Sequence, residues 1–159
     1  MSLLRTIAAL LILATNPAPA RAATVAGRWQ TVVPVVITSY HPSPNDLIEG
    51  TYQGVGSTAW LGTWNGVTHY TIQGKANLVT GAGSGTIDET FYGCHSERMC
   101  GTIGFVEDYA LDAAGHITIR ARIVDATSGF AGAKGVVEFT GTETSLVGGS
   151  GSYTGSWVS

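Results

Sequence analysis

The 159-residue chain predicts an all-β fold, an antiparallel eight-stranded up-and-down barrel. Three observations carry this expectation. No long segment after Ala23 places apolar residues at three- and four-residue spacing, so helices are not expected. Short runs rich in Thr, Val, Ile and aromatic residues recur instead, separated by Gly-rich turns. Eight such runs follow one another with short connections, which suits a meander of antiparallel neighbours. Closing the meander removes its exposed edges. A two-sheet sandwich is the alternative arrangement of the same strands.

A different kind of segment precedes the first strand. Met1 to Arg5 carries one positive charge, and Ile7 to Ala14 is uninterrupted apolar chain. Asn16-Pro17-Ala18-Pro19 then breaks any helix, and Ala20-Arg21-Ala22 has the small-x-small form of a signal-peptidase site. The apolar run is too short for a permanent bilayer span. Residues 1–22 are therefore expected to be a signal peptide and residues 23–159 a single barrel domain, secreted or periplasmic, with no stable membrane anchor after cleavage. An uncleaved anchor is the rival reading, and with no Cys near the cleavage site a lipoprotein anchor is disfavoured. Loss of Arg5 and Arg21 lowers the basic count from 8 to 6 against 11 acids, a net charge of −5. Without a basic run or stripe, nucleic acid and anionic membranes are poor partners.

The eight runs lie at 28–40, 50–64, 67–79, 85–93, 101–111, 116–124, 134–142 and 150–158. The first holds Pro34 inside Val32-Val33-Pro34-Val35-Val36-Ile37. Proline cannot donate to a ladder, so this strand is expected at an edge, a bulge or a seam. Tyr40-His41-Pro42-Ser43-Pro44-Asn45 reads as a rigid loop of the kind that can cover a barrel mouth. Asn65-Gly66 signals a two-residue hairpin turn, setting Trp64 opposite Val67 and Leu61 opposite Tyr70. That hairpin has two apolar faces, one with Ala59, Leu61, Tyr70 and Ile72, the other with Trp60, Trp64, Val67 and His69. The outward one needs cover from a partner subunit or the N-terminal segment, which makes a homo-oligomer an expected assembly. His69 reads as a packed or surface side chain rather than a pocket base.

Gly81-Ala82-Gly83-Ser84-Gly85 joins two strands and opens no helix, so it is a turn and not a phosphate loop. Cys94 and Cys100 suit a local disulfide, whose closure is worth roughly 2–3 kcal/mol. His95 beside two Cys falls short of a metal ligand set, so neither a metal nor a cofactor is expected. No Ser/His/Asp order with a nucleophile elbow is present.

Two registers bring a pair of carboxylates together. Asp112-Ala113-Ala114-Gly115 fits a type I turn with Gly in the left-handed position. It pairs Leu111 with Ile117, Tyr109 with Ile119, Glu107 with Ala121 and Phe105 with Ile123, and it sets Asp108 opposite Arg120 as an exposed ion pair. If the cysteines face each other, Phe91 pairs with Ile103, Glu89 with Phe105 and Ile87 with Glu107. Side chains alternate faces along a strand. Glu89 thus shares a face with Ile87 and Phe91, and Glu107 shares one with Phe105, Tyr109 and Leu111. The two glutamates become diagonal cross-strand neighbours. Buried together they cannot both ionise cheaply, so at least one pKa should rise, as general acid/base work requires. Glu89 and Glu107 are the candidate catalytic acid/base groups and Tyr109 the candidate substrate-orienting residue. The plain alternative is a rim position reached by water, or an ion pair with Arg28 or Arg122.

Ser128-Gly129-Phe130-Ala131-Gly132-Ala133-Lys134-Gly135 resembles the G-x-F-x-G-A-x-G turn of the allene-oxide-cyclase and dirigent-type barrels. Gly151-Ser152-Tyr153-Thr154-Gly155-Ser156-Trp157 is similar to the closing strand of bacterial relatives in that superfamily, a family of uncharacterised function. The Gly-x-Trp-x-Gly segment from Gly62 to Gly66 is similar as well. The resemblance implies an eight-stranded barrel with a central apolar cavity, in dimers or trimers. Asp125-Ala126-Thr127-Ser128 departs from it, with fewer glycines than the motif's opening, and the catalytic acids and bases of dirigent proteins have no matching positions here. The expectation is an exported barrel that binds a small apolar molecule in its cavity, as an isomerase or cyclase. The alternative is a non-catalytic envelope or extracellular module. A biotin-binding barrel, prompted by the Gly-Thr-Trp and Gly-Ser-Trp strands, lacks an assignable polar ligand set.

Overall fold

The computed structural model describes residues 22–44, 46–97, 99–144 and 148–159; the body of the expected signal peptide, residues 1–21, lies outside them. Eight strands follow in order: β1 (Ala23–Ser43), β2 (Asp46–Gly62), β3 (Asn65–Asn77), β4 (Gly83–Ser96), β5 (Met99–Leu111), β6 (His116–Ala126), β7 (Lys134–Thr144) and β8 (Gly148–Val158). Each pairs antiparallel with the next, and β8 closes onto β1, so the sheet is a closed up-and-down barrel. A 3-10 turn at Ser128–Phe130 joins β6 to β7, and it starts on Ser128 in the left-handed region at φ 54°.

Two turns set the registers that matter. Leu111 pairs with Ile117 and Glu107 with Ala121, around a turn in which Gly115 sits at φ 82° and donates to Asp112. Cys94 faces Cys100 in a disulfide, and Glu89 pairs with Phe105. Arg120 makes its ion pair with Glu138 at 3.2 Å, across the β6–β7 ladder, rather than with Asp108.

The β2–β3 hairpin corrects the sequence expectation. Trp60 pairs with Gly66 and Ala59 with Val67, so five residues form the connection instead of two. The Asn65 side chain is spent on Gly62: its Nδ2 donates to Gly62 O at 2.9 Å and its Oδ1 accepts from Gly62 N at 3.1 Å. Gly62 can take this position because it sits at φ 143°. Thr63 Oγ1 donates to Ala26 O and accepts from Ala26 N, pinning the loop to β1. Trp64 is thereby turned into the barrel. Neither expected face survives intact: Trp60, Trp64 and Ile72 are buried, whereas Leu61, Val67 and His69 are exposed.

β1 is irregular on both sides of Pro34, with register shifts between Thr31 and Val33 and between Val33 and Val36. Its ladder to β8 ends at Gln30–Ser150, so the missing proline donor falls where β1 pairs only with β2. Tyr40 to Ser43 are strand and not loop: β2 begins early enough to pair Tyr40, His41 and Pro42 with Tyr52, Thr51 and Gly50, while Asn45 lies outside the described residues.

One end of the barrel is filled by aromatic rings. Trp60, Trp64, Phe91, Phe105, Phe130 and Trp157 are buried there, with ring centroids 5.2–6.2 Å apart in pairs such as Trp60–Phe91 and Phe91–Phe130. Such pairs contribute about 0.5–1.5 kcal/mol each beyond area burial. Tyr153 Oη donates to Trp64 O at 3.0 Å and accepts from Trp64 N at 3.1 Å, satisfying the backbone of the inturned tryptophan. Toward the other end the rings give way to Ile72, Ile87 and Tyr109, and the interior opens.

Candidate functional site

The open end holds a cavity of about 220 Å³ whose inner wall meets the aromatic packing at Trp60 and Phe139. Glu89 from β4 and Glu107 from β5 line it, together with Tyr109. All three sequence candidates therefore meet in one place. The inward positions follow from strand alternation on the two registers above. Both glutamates are buried, at 6% and 2% exposure. The rim reading does not apply, nor does pairing with Arg28 or Arg122, whose side chains are exposed.

The environments of the two carboxyls differ. Glu89 Oε1 accepts from Thr58 Oγ1 at 3.3 Å, and Thr58 in turn accepts from Trp60 Nε1 at 3.1 Å. Thr68 and Glu107 also hydrogen-bond Glu89. Burial raises the Glu89 pKa, and these three hydrogen bonds oppose the rise by favouring the carboxylate. Glu107 is pushed well above the usual carboxylate range by burial first, then by the charge of Glu89, then by their shared hydrogen bond. The Glu107 carboxyl is therefore the more readily protonated of the two. Its Oε1 is buried, with no hydrogen-bond partner among the described residues.

A phenol pair stands toward the mouth. Tyr52 Oη and Tyr109 Oη are 2.5 Å apart, and burial raises both above the usual phenol value. Tyr70 is raised as well, by burial and then by the charges of Glu143 and Glu89. Two glycines make room for these rings: a Cβ at Gly56 would collide with Tyr70 Oη, and one at Gly74 with Tyr109 Oη. Glu143, near the end of β7, joins the cavity wall with its own carboxyl pKa raised by burial.

Tyr52, Tyr70, Glu143 and Thr58 were not among the residues expected from sequence. The facing of Tyr70 depended on the β2–β3 register, and Glu143 lies one residue beyond the expected strand end. Thr58 carried no signal of its own in so threonine-rich a chain. His69 is on the outside, its ring 5.9 Å from that of Tyr92. Among the described residues no group of three or more His, Cys, Asp or Glu is placed to hold a metal ion. A neutral carboxylic acid bonded to a carboxylate beside a short phenol pair can exchange protons with a molecule held between apolar walls. No protein-family model and no curated protein matches the chain.

Proposed function

We propose that this chain binds a small, largely apolar molecule in the barrel cavity and moves a proton on it, as an isomerase or cyclase does. One observation carries the reading: two buried, mutually bonded carboxyls on the wall of an apolar cavity. Burying acids costs stability unless the fold compensates them, and a barrel interior is more simply filled with apolar side chains. Groups with pKa values pushed apart in a cleft are what acid/base chemistry uses.

In this reading Glu89, the better stabilised carboxylate, removes a proton from a carbon next to a carbonyl. Tyr109, backed by Tyr52, donates a hydrogen bond to the oxygen on which negative charge grows. Glu107 returns a proton to a second carbon, and the proton taken up by Glu89 restores the pair. The walls hold one conformer for the transfer.

The test uses 3-cyclohexenone, a ketone of suitable size, and follows formation of the conjugated isomer by ultraviolet absorbance. The wild-type chain is expected to exceed the buffer rate, with Glu89→Gln and Glu107→Gln each lowering it by about 10²–10⁴-fold. A wild-type rate no higher than that of Glu89→Gln would falsify the catalytic reading. Ligand binding without turnover would leave the non-catalytic binding barrel.

Export to the periplasm or medium belongs to the same proposal. It is supported by the Cys94–Cys100 disulfide and by the apolar leader ending at Ala22. No helix among the described residues is long and apolar enough to cross a membrane. A mature chain starting at Ala23 is the expected result of N-terminal sequencing. The closed eight-strand order supports placing the chain among the allene-oxide-cyclase and dirigent-type barrels. Self-association through the free stretch of β1 is part of the proposal too. Val32, Val33, Val36 and Ile37 are exposed where the β8 ladder has ended, so among the described residues an apolar strand edge stands uncovered there. Light scattering should give a mass above the monomer, and Val36→Asp should return it to the monomer.

A further inference from the structure

We propose that the ligand of this cavity carries a protonated amine on a compact apolar body. The inference rests on the cavity being a ligand site, as proposed above, and adds what the site demands of its occupant.

The first demand comes from the carboxyl pair. Glu89 and Glu107 both line the cavity, and carboxyl oxygens offer lone pairs to whatever enters, so the wall asks its guest for an N–H or O–H donor. The second demand is charge. The titratable lining comprises Tyr52 on β2, Tyr70 on β3, Glu89 on β4, Glu107 and Tyr109 on β5, and Glu143 on β7. Among the described lining residues there is no Lys, Arg or His. An anion entering this space would meet three acids and no counter-charge, with little water to screen them. A cation supplies the counter-charge that the acids lack.

The third demand comes from the walls. Trp29, Trp60 and Phe139 line the same cavity, and aromatic rings attract ammonium groups through their quadrupoles. The cavity of about 220 Å³ is smaller than the ~300–1,000 Å³ of drug-sized sites, so the apolar body is a single ring or a short chain. The ammonium sits beside the Glu89 carboxyl and leaves the proton of Glu107 in place.

Three probes of one shape separate the possibilities: cyclohexylmethylamine, cyclohexylmethanol and cyclohexanecarboxylate. Binding to the mature chain at pH 7 is read by tryptophan fluorescence, since Trp29 and Trp60 line the cavity. The amine is expected to bind at least tenfold more tightly than the alcohol and at least a hundredfold more tightly than the carboxylate. In Glu89→Gln, with its circular dichroism unchanged, the amine-to-alcohol affinity ratio should drop about tenfold. An amine no tighter than the alcohol or the carboxylate overturns this proposal while the ligand-site reading stands. An unchanged ratio in Glu89→Gln also overturns it. Failure of all three probes to bind overturns both.

Discussion

Glu89 and Glu107 stand diagonal to each other across the β4–β5 ladder, Glu89 opposite Phe105 and Glu107 opposite Ile87, with both side chains inside the barrel. Each is two positions from a residue that faces the other, so long side chains on one face can meet. They do meet, and share a hydrogen bond.

That relationship sets how stability varies with pH. Burial raises both carboxyl pKa values in the folded chain, and that of Glu143 as well. An unfolded chain releases these protons near the ordinary value of about 4.3. Above that value the folded state holds more protons, so stability falls as pH rises. It is fully present below pH ~4 and is lost as pH climbs through the raised folded values. The melting temperature of the wild-type chain should therefore drop between pH 5 and pH 8. Glu107→Gln cannot ionise, so its profile should be flatter and its stability at pH 8 higher by about 0.5–2 kcal/mol, a common gain when a functional burden is removed. Melting curves at several pH values check this; a wild-type profile that rises toward pH 8 would count against it.

Tyr109→Phe removes the bond to Tyr52 Oη and leaves the ring between its neighbours. Denaturant unfolding should show a loss of about 0.5–1.5 kcal/mol. The loss in 3-cyclohexenone turnover should be larger, about 10²-fold, because a donor to developing charge acts mainly in the transition state. Comparing the two measurements separates a catalytic contact from a merely structural one.

Tyr153→Phe should cost more than its single atom suggests. The hydroxyl serves both Trp64 N and Trp64 O, in a buried place where the chain has turned away from the ladder. Stranding those groups should destabilise the fold by about 1–3 kcal/mol in urea titrations. An effect below a few tenths of a kcal/mol would mean that water reaches the Trp64 backbone.

Ser128→Gly should stabilise the chain. Ser128 sits at φ 54°, a region where side chains other than glycine are strained by about 1–2 kcal/mol. Part of that relief is offset by the freer unfolded chain of a glycine variant, leaving a gain of about 0.5–1 kcal/mol. A higher melting temperature is the expected reading, and an unchanged or lower one would show that the turn carries no such strain.

How much was legible in the sequence followed from what set each register. The β4–β5 pairing was readable because Cys94 and Cys100 fix it covalently, and the β5–β6 pairing because Asp112 to Gly115 allows one short turn. Those two facts were enough to place Glu89, Glu107 and Tyr109 together. The β2–β3 pairing was not readable, because Asn65 can close a tight turn by itself or bind Gly62 through its side chain. Which it does depends on Trp64, whose inward position is supported by Tyr153, distant in sequence, through bonds to its backbone. Tyr70 and Thr58 therefore stayed hidden with that register. Tyr52 lay within the expected strand 50–64, on the face of Trp60, and the sequence did not say which face of that strand lines the interior.

Trp64, Phe130 and Trp157 seal the barrel end opposite the cavity. Among the described residues the vessel is thus closed at that end, and arrivals and departures use the other. A guest must back out before the next can enter, so reactions that join two bulky reactants are shut out in favour of rearrangements within one molecule. Product and substrate then contend for the same passage, and simple competitive inhibition by product is the kinetic mark such a chamber should leave.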